Sequence, residues 1–240
     1  ALRNAKNQMK AGELAKAEEL YKQVLSKFPK NKKAIQEYQK LKAEITLEAS
    51  SCSQPPHEQI QALISLYNQG SLTAALDQAK ILTQQYPKAF VAWNILGASS
   101  KVLGGIVEAS KAFKKVTELK PNYADGFNNL GVTLTDQGKL DEAIETLHKA
   151  LILNPNFTDA YYNLGIALRE KCDLDAAINS FKKAIQIKPD NAEAYNNMGI
   201  SLQEKGKSDA AVDSYKQAIK IKPDYAEAYN NMGNALYDRG

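Results

Sequence analysis

The sequence predicts an all-α protein, a solenoid in which helix–turn–helix units with a period of 34 are stacked in chain order. One observation is that an aromatic position and a glycine position each recur at steps of 34 along the chain. A second is that an alanine and a proline recur in the same register. A third is the helical spacing of apolar residues within each unit. A period of roughly 20 to 50 residues is typical of arrays whose units contact only their neighbours.

Four positions of the unit keep this register without insertion or deletion from residue 56 onward. They are the aromatic residues Trp93, Phe127, Tyr161, Tyr195 and Tyr229, the glycines Gly97, Gly131, Gly165, Gly199 and Gly233, the alanines Ala75, Ala109, Ala143, Ala177 and Ala211, and the prolines Pro87, Pro121, Pro155, Pro189 and Pro223. Chance does not maintain such a register, so the chain is an array.

The first helix of a representative unit is predicted at about 160–171. Tyr161, Leu164, Gly165 and Leu168 stand at i, i+3, i+4 and i+7, which places them on one face of a helix of 3.6 residues per turn. This face is expected to meet the second helix of the same unit.

The second helix is predicted at about 174–187. Gly165 and Ala177 carry almost no side chain, so the two helices can approach closely while the bulkier Phe181 fills the space beside them. Pro189 follows, and because proline lacks an N–H and fixes φ, it ends one unit before the next begins.

The turn between the two helices is expected to need a residue with positive φ, a conformation that glycine adopts without a steric penalty. Glycine stands there in most units, at Gly70, Gly104, Gly138, Gly206 and Gly240. Cys172 occupies the same position in one unit, where we expect a strained turn substitution.

These positions together resemble the tetratricopeptide repeat across roughly residues 90 to 240, and the resemblance implies a right-handed superhelix. The match is looser at 56–89, where Gln59 and Leu63 replace the aromatic residue and the glycine. Near the start of the chain, Gly12, Ala17, Tyr21 and Pro29 fit the later part of a unit.

The register breaks between these two regions, because the separation of Pro29 and Pro87 is not a multiple of the period. A helix is predicted from about Lys32 to Leu47, and 49–56 is predicted as a linker. The predicted organisation is therefore an N-terminal helical module at 1–48, a linker at 49–56, and an array of about five units with a final first helix at 57–240.

The composition excludes several classes of protein. A formal charge of +4, from 31 basic and 27 acidic residues, provides no strong field for a polyanion, so we expect no nucleic-acid partner. The sequence contains no stretch of about 18 apolar residues, so no membrane span is predicted. No signal peptide is recognised either, and a cytoplasmic protein is therefore expected. Two cysteines and two histidines, Cys52, Cys172, His57 and His148, do not form a metal-ligand or disulfide framework. No catalytic motif is present, and we expect no enzyme activity and no cofactor.

The concave wall of such an array is lined mainly by first helices. On the representative unit, the positions facing away from the Tyr161 face include Tyr162, Asn163 and Arg169. The Asn163 position returns asparagine in four successive units, at Asn129, Asn163, Asn197 and Asn231. A carboxamide donates and accepts at once, so each asparagine can bond to the N–H and C=O of a peptide whatever its side chains are.

This row predicts a site for an extended peptide. Packed helices lie roughly 8 to 10 Å apart and an extended chain advances about 3.3 Å per residue, so the row would meet about every third residue. The row is similar to the asparagine ladder of the O-linked N-acetylglucosamine transferases, which implies contact with an extended substrate segment. The alternative is that the asparagines are polar bystanders of duplication, and that each pair formed with Asn128, Asn196 or Asn230 is a solvated dipeptide.

Two acidic rows accompany the asparagines. One lies near the starts of the first helices, at Asp125, Asp159, Glu193 and Glu227, and the other near their ends, at Asp136, Glu170, Glu204 and Asp238. Within a groove they would favour basic or neutral peptides. The alternative is that the first row compensates helix dipoles and the second serves solubility.

Two binding modes of related repeats are not expected. The carboxylate clamp of chaperone-binding tetratricopeptide domains places a lysine one position before the asparagine row, where this chain has Asn128, Tyr162 and Asn196. Arrays that recognise RNA bases repeat with a period longer by one and have a basic groove, unlike the period and charge found here.

Three functions are compatible with this pattern. The leading hypothesis is a protein–protein interaction scaffold that binds an extended peptide in its concave groove. The second is the substrate-docking region of a longer glycosyl- or sulfotransferase, because the array stops within a unit at Gly240. The third is self-assembly through the open apolar face of the last helix, from Tyr229 to Leu236.

Overall fold

The computed structural model describes residues 2–11, 13–51 and 54–239, and the side chains of these residues apart from those of 10 and 43–51. Every regular element within these ranges is an α-helix. In chain order the helices are α1 Leu2–Lys10, α2 Leu14–Lys27, α3 Lys32–Ser51, α4 His57–Asn68, α5 Leu72–Gln85, α6 Phe90–Val102, α7 Ile106–Leu119, α8 Ala124–Asp136, α9 Leu140–Leu153, α10 Thr158–Glu170, α11 Leu174–Ile187, α12 Ala192–Glu204, α13 Ser208–Ile221 and α14 Ala226–Arg239. The predicted all-α repeat architecture is confirmed.

The helix boundaries agree with the periodic pattern in the representative unit and depart from it near the predicted linker. Helices predicted at 160–171 and 174–187 are α10 and α11. The helix predicted to end at Leu47 continues to Ser51, into the predicted linker. No glycine or proline stands between Leu47 and Ser51, so nothing in the backbone stops the helix there. Gly12, Cys52 and Gly240 lie outside the described residues.

The chain forms two compact units, one of residues 1–57 with 84–89 and the other of 58–83 with 90–240. In the first unit, α1, α2 and α3 pack around Ala5, Ala17, Tyr21 and Leu41, all of which are fully buried. Tyr38 packs on Tyr21 in this core and donates a hydrogen bond of 3.1 Å to the Glu18 carboxylate.

In four successive hairpins of the second unit, a glycine on the first helix lies directly against a large side chain on the second. The pairs are Gly97 with Phe113, Gly131 with Leu147, Gly165 with Phe181, and Gly199 with Tyr215. A Cβ added at Gly165 would lie 2.5 Å from the ring of Phe181, closer than any real contact. The close approach predicted for this hairpin is therefore confirmed, and no larger residue fits unless the Phe181 ring or the helices move.

The hairpins stack so that the first helices share one layer. α8 contacts α10, α10 contacts α12, and α12 contacts α14, while each second helix packs on the first helix of the following unit. Grooves separate successive second helices on the other side of the array. The first helices consequently form one wall of the array, called here the inner wall, and the second helices form the opposite, outer wall, which has open grooves.

The turn between the helices of a unit has the predicted left-handed conformation. Cys172 has a φ of 64°, and the equivalent Gly70, Gly104, Gly138 and Gly206 have φ between 71° and 81°. The backbone N–H groups of Cys172 and Asp173 donate to the Arg169 and Leu168 carbonyls at 2.7 and 2.9 Å, which closes the end of α10. A side chain at this position opposes the conformation that the turn requires.

Replacing Cys172 with glycine is therefore expected to raise stability. Left-handed backbone costs a residue with a Cβ about 1–2 kcal/mol, partly offset by the larger entropy of unfolded glycine, so Cys172→Gly should gain about 1 kcal/mol. The measurement is the midpoint of urea denaturation. Gly138→Ala, at the same position of the preceding unit, is the reciprocal control and should lose about as much. A midpoint for Cys172→Gly at or below that of the parent protein contradicts the account.

Candidate functional site

The inner wall of the second unit brings together the four asparagines singled out by their period. α8, α10, α12 and α14 each present the same position to this wall, so that Asn129, Asn163, Asn197 and Asn231 form a row, and all four are partly exposed. Their geometry shows that the four carboxamides are not equivalent.

Two members of the row are hydrogen-bonded to an asparagine of the preceding unit. Asn163 Nδ2 donates to Asn128 Oδ1 at 2.9 Å, and Asn231 Nδ2 donates to Asn196 Oδ1 at 3.1 Å. Asn128 is 7% exposed and Asn196 is fully buried. The asparagine pairs therefore link one first helix to the next, and the interpretation as solvated dipeptides is wrong at Asn128 and Asn196; Asn230 alone is exposed.

Asn197 is bonded at both ends of its carboxamide. Its Nδ2 donates to the Tyr162 hydroxyl at 3.1 Å and to the Glu193 carbonyl at 3.0 Å, while its Oδ1 accepts from Arg169 Nη1 at 3.0 Å. Tyr162 replaces the asparagine of the neighbouring units yet still supplies an acceptor. Burial raises the pKa of the Tyr162 hydroxyl, and the nearby Glu193 carboxylate adds to the shift, so this group is protonated at neutral pH.

Asn129 differs from the other three. Its side chain forms no hydrogen bond with any residue that the structure describes, although it stands on the exposed inner wall. The preceding unit has Asn94 at the position of Asn128, and within the described part of the chain the buried Asn94 Oδ1 has no partner. Asn129 thus retains both its donor and its acceptor for a ligand.

Both acidic rows are exposed in the structure, as expected of groove-lining charges and equally of solvated ones. Three of these carboxylates have partners, since Asp136 lies 3.7 Å from Lys101, Asp238 accepts from Gln203 at 2.6 Å, and Glu227 accepts from the amide of Asn196 at 3.1 Å. The remaining members of the two rows share only their exposure: Asp125, Asp159, Glu170, Glu193 and Glu204. Arg169 is the one cation that α8, α10 and α12 carry, so the wall is acidic.

The acidic field also acts on Tyr225, which precedes α14. Burial first, and then the carboxylates of Glu227 and Glu193, raise the pKa of Tyr225 to about 12. Each of these causes disfavours a phenolate, so the hydroxyl stays protonated throughout the physiological range.

Period analysis missed a row of ion pairs between units. Each joins an aspartate at the start of a second helix to a basic residue at the end of the next first helix. The pairs are Asp141 with Lys171, Asp175 with Lys205, and Asp209 with Arg239. The hydrogen bond from Lys205 lowers the pKa of Asp175. The signal was present, because both charges recur with the period of the array, but partners in different units can be recognised only once the stacking is known.

Models of known protein families match most of this array. A model described as TPR repeat matches residues 131–171, 167–206 and 201–240, and models described as tetratricopeptide repeat match 112–145 and 2–31. These matches together span more than half of the chain. The chain belongs to the tetratricopeptide repeat (TPR) family.

Solved structures of TPR proteins have the same fold. The crystal structure of MamA is 28% identical with a TM-score of 0.62, covering 68% of this chain and 95% of that chain. YrrB, described as a TPR protein with an unusual peptide-binding site, is 25% identical with a TM-score of 0.63, covering 77% and 95%. TTC0263 of Thermus thermophilus shows likeness of fold alone, at 22% identity and a TM-score of 0.60, covering 75% and 98%. No curated protein sequence matches this TPR chain.

Within the part of the chain that the structure describes, no helix is long and apolar enough to cross a membrane. The same residues contain no group of three or more histidine, cysteine or carboxylate side chains placed to hold a metal ion.

The buried Asn196 is expected to stabilise the stacking of this TPR array. Asn196→Ala removes the acceptor of Asn231 and the donor to Glu227, so the free energy of unfolding should fall by about 1–3 kcal/mol. Asn230→Ala, at the same position of the next unit but exposed, is the matched control and should change stability by less than about 0.5 kcal/mol. Equal urea midpoints for the two variants would show that the carboxamide link is not stabilising.

Proposed function

We propose that the second unit binds an extended segment of another protein along the inner wall of its first helices. A TPR array is a protein–protein interaction scaffold, and YrrB, which has this fold, is described as having a peptide-binding site. The observation on which the proposal rests is the Asn129 carboxamide, which is partly exposed on the wall and bonded to no described side chain or backbone group.

The asparagines have unequal roles in this proposal. Asn129 offers both a donor and an acceptor to one peptide unit of the ligand. Asn163 and Asn231 have each committed one carboxamide N–H to the preceding unit, and each keeps an Oδ1 that accepts from no described residue. Asn197 is saturated by Tyr162, Glu193 and Arg169, and it serves the wall and not the ligand.

The charge of the wall defines the chemistry of the ligand. Asp125, Asp159 and Glu193 at one edge and Glu170 and Glu204 at the other are exposed carboxylates on the inner helices. They attract a basic segment and repel an acidic one. Asparagines that bond to a peptide backbone and are flanked by carboxylates therefore suit an extended, neutral-to-basic peptide. The affinity should depend little on the exact sequence of that peptide.

The expected affinity is modest. A hydrogen bond contributes about 0.5–1.5 kcal/mol net, so two bonds from Asn129 and one each from Asn163 and Asn231 supply several kcal/mol. The entropic cost of ordering the peptide offsets part of this free energy. Binding should therefore be weak, and the affinity should fall as ionic strength rises, because salt screens the attraction between the carboxylates and a basic peptide.

The test uses peptides selected from a random library displayed on phage, with affinities measured by calorimetry. Asn129→Ala should weaken binding about tenfold, because two hydrogen bonds are lost. Methylation of the peptide N–H groups should weaken binding similarly, whereas shuffling the peptide residues at constant charge should have little effect.

Asn197→Ala is the control from the same row. Its carboxamide is already satisfied internally, so affinity should fall far less than in Asn129→Ala, provided that circular dichroism shows both variants folded. Equal loss in both variants, or unchanged affinity in Asn129→Ala, excludes the backbone clamp. Selection of acidic peptides excludes the proposed chemistry of the ligand.

The other two hypotheses stay predictions. A docking role within a longer transferase is compatible with the same wall. Self-association is favoured by the apolar face of α14, where Tyr229 is 48% exposed and Leu236 is 44% exposed, and where a Cβ added at Gly233 would meet no neighbour within 4 Å.

A further inference from the structure

A groove on the outer wall, between α9 and α11, is distinct from the inner wall. Tyr161 and Leu164 of α10 line it at the base, His148 and Ile152 come from α9, and Lys183 comes from α11. Its volume is about 490 Å³, and it continues past Tyr161 and Lys183 into a second depression of about 330 Å³ beside Pro155 and Ile187.

This groove is less charged than its counterpart one unit earlier. The groove between α7 and α9 has charged residues at the equivalent positions, with Lys114 where the later groove has His148, Glu118 where it has Ile152, and Glu145 where it has Asn179. In the later groove, the side chain of Ile152 is 78% exposed at a position that is glutamate, glutamine or lysine in the other complete units from residue 90 onward. The substitutions combine to open an apolar slot.

The same comparison shows a cation without its acidic partner. Lys149, in the earlier groove, is paired with Glu145 at 2.7 Å. Lys183 occupies the equivalent place in the later groove, but Asn179 has replaced the glutamate, and the Lys183 ammonium donates only to the Gln186 amide oxygen at 3.4 Å among the described residues. No described carboxylate lines this groove.

We propose that this outer groove is a second docking site, for a segment of a partner protein in which a bulky aliphatic or aromatic side chain stands beside a carboxylate. The apolar side chain lies against Ile152, Leu151 and the ring of Tyr161, where it removes an exposed isoleucine from water. The carboxylate pairs with Lys183. Charge complementarity distinguishes this ligand from that of the acidic inner wall, so the two faces bind segments of opposite charge.

The probes for the test are peptides from a random library on phage, selected on the parent protein and counter-selected on Ile152→Glu. Ile152→Glu places a charge in the slot and a carboxylate near that of the ligand, and it should weaken the selected peptides at least about tenfold. Lys183→Glu should weaken them similarly, and changing the peptide carboxylate to lysine should restore binding to Lys183→Glu.

Matched controls separate this site from the rest of the molecule. Lys220→Glu places a carboxylate at the position of Ile152 two units later, outside this groove, and should leave affinity within about twofold. Asn129→Ala should also leave it unchanged, which distinguishes this site from the proposed inner-wall site. Ile152 and Lys183 are both exposed, so the variants should keep the parent unfolding midpoint.

Several results overturn the proposal. They are the absence of peptides that distinguish the parent from Ile152→Glu, enrichment of basic peptides, and equal weakening by Lys220→Glu. Amide chemical-shift changes confined to the inner wall would do the same. Sedimentation that shows dimers of the chain abolished by Ile152→Glu would assign the groove to a second copy and reject a partner peptide.

Discussion

Everything on both faces of the array depends on the contact between a glycine of the first helix and a large side chain of the second. Gly165 against the ring of Phe181 leaves no space for a Cβ, so α10 and α11 pack more closely here than a residue with a side chain would allow. The same contact recurs in four hairpins with three different partners, phenylalanine, leucine and tyrosine. Because the glycine is constant and its partner varies, it is the missing side chain that determines the spacing. The first helices can then form one layer, and the second helices are left with grooves between them.

The asparagine row has a structural and a binding role that compete for the same atoms. Asn163 and Asn231 each use one carboxamide N–H to bond to the preceding first helix, and burial of Asn128 and Asn196 makes these links costly to lose. A ligand can use only what the wall leaves. At Asn197, stacking alone explains the asparagine. At Asn163 and Asn231, the asparagine contributes to stacking and also leaves an acceptor available to a ligand. At Asn129, no stacking contact among the described residues explains it. A residue that recurs in every unit therefore need not make the same contact in every unit.

Local features could be predicted from the sequence, and features that depend on stacking could not. Helix bounds at α10 and α11, the close approach at Gly165 and the positive φ at Cys172 follow from residue types within one unit. The links between Asn163 and Asn128 and between Asp175 and Lys205 join neighbouring units, so they depend on the angle at which hairpins stack. That angle is set by many packing contacts and has no signature at a single position. The end of α3 was misplaced for a different reason, since the serine-rich segment predicted as a linker contains no residue that stops a helix before Pro55.

The residues that depart from the repeat pattern differ in whether another contact replaces the one that was lost. Tyr162 takes the place of an asparagine but keeps an oxygen that accepts from Asn197, so the link between units is preserved while a ring enters the inner wall. Cys172 keeps the backbone of its turn and is left with the strain of a side chain at φ 64°. Ile152 is not compensated by burial, because it is 78% exposed. Contact of the outer groove with another molecule would account both for Ile152 and for the lack of an acidic partner at Lys183 among the described residues.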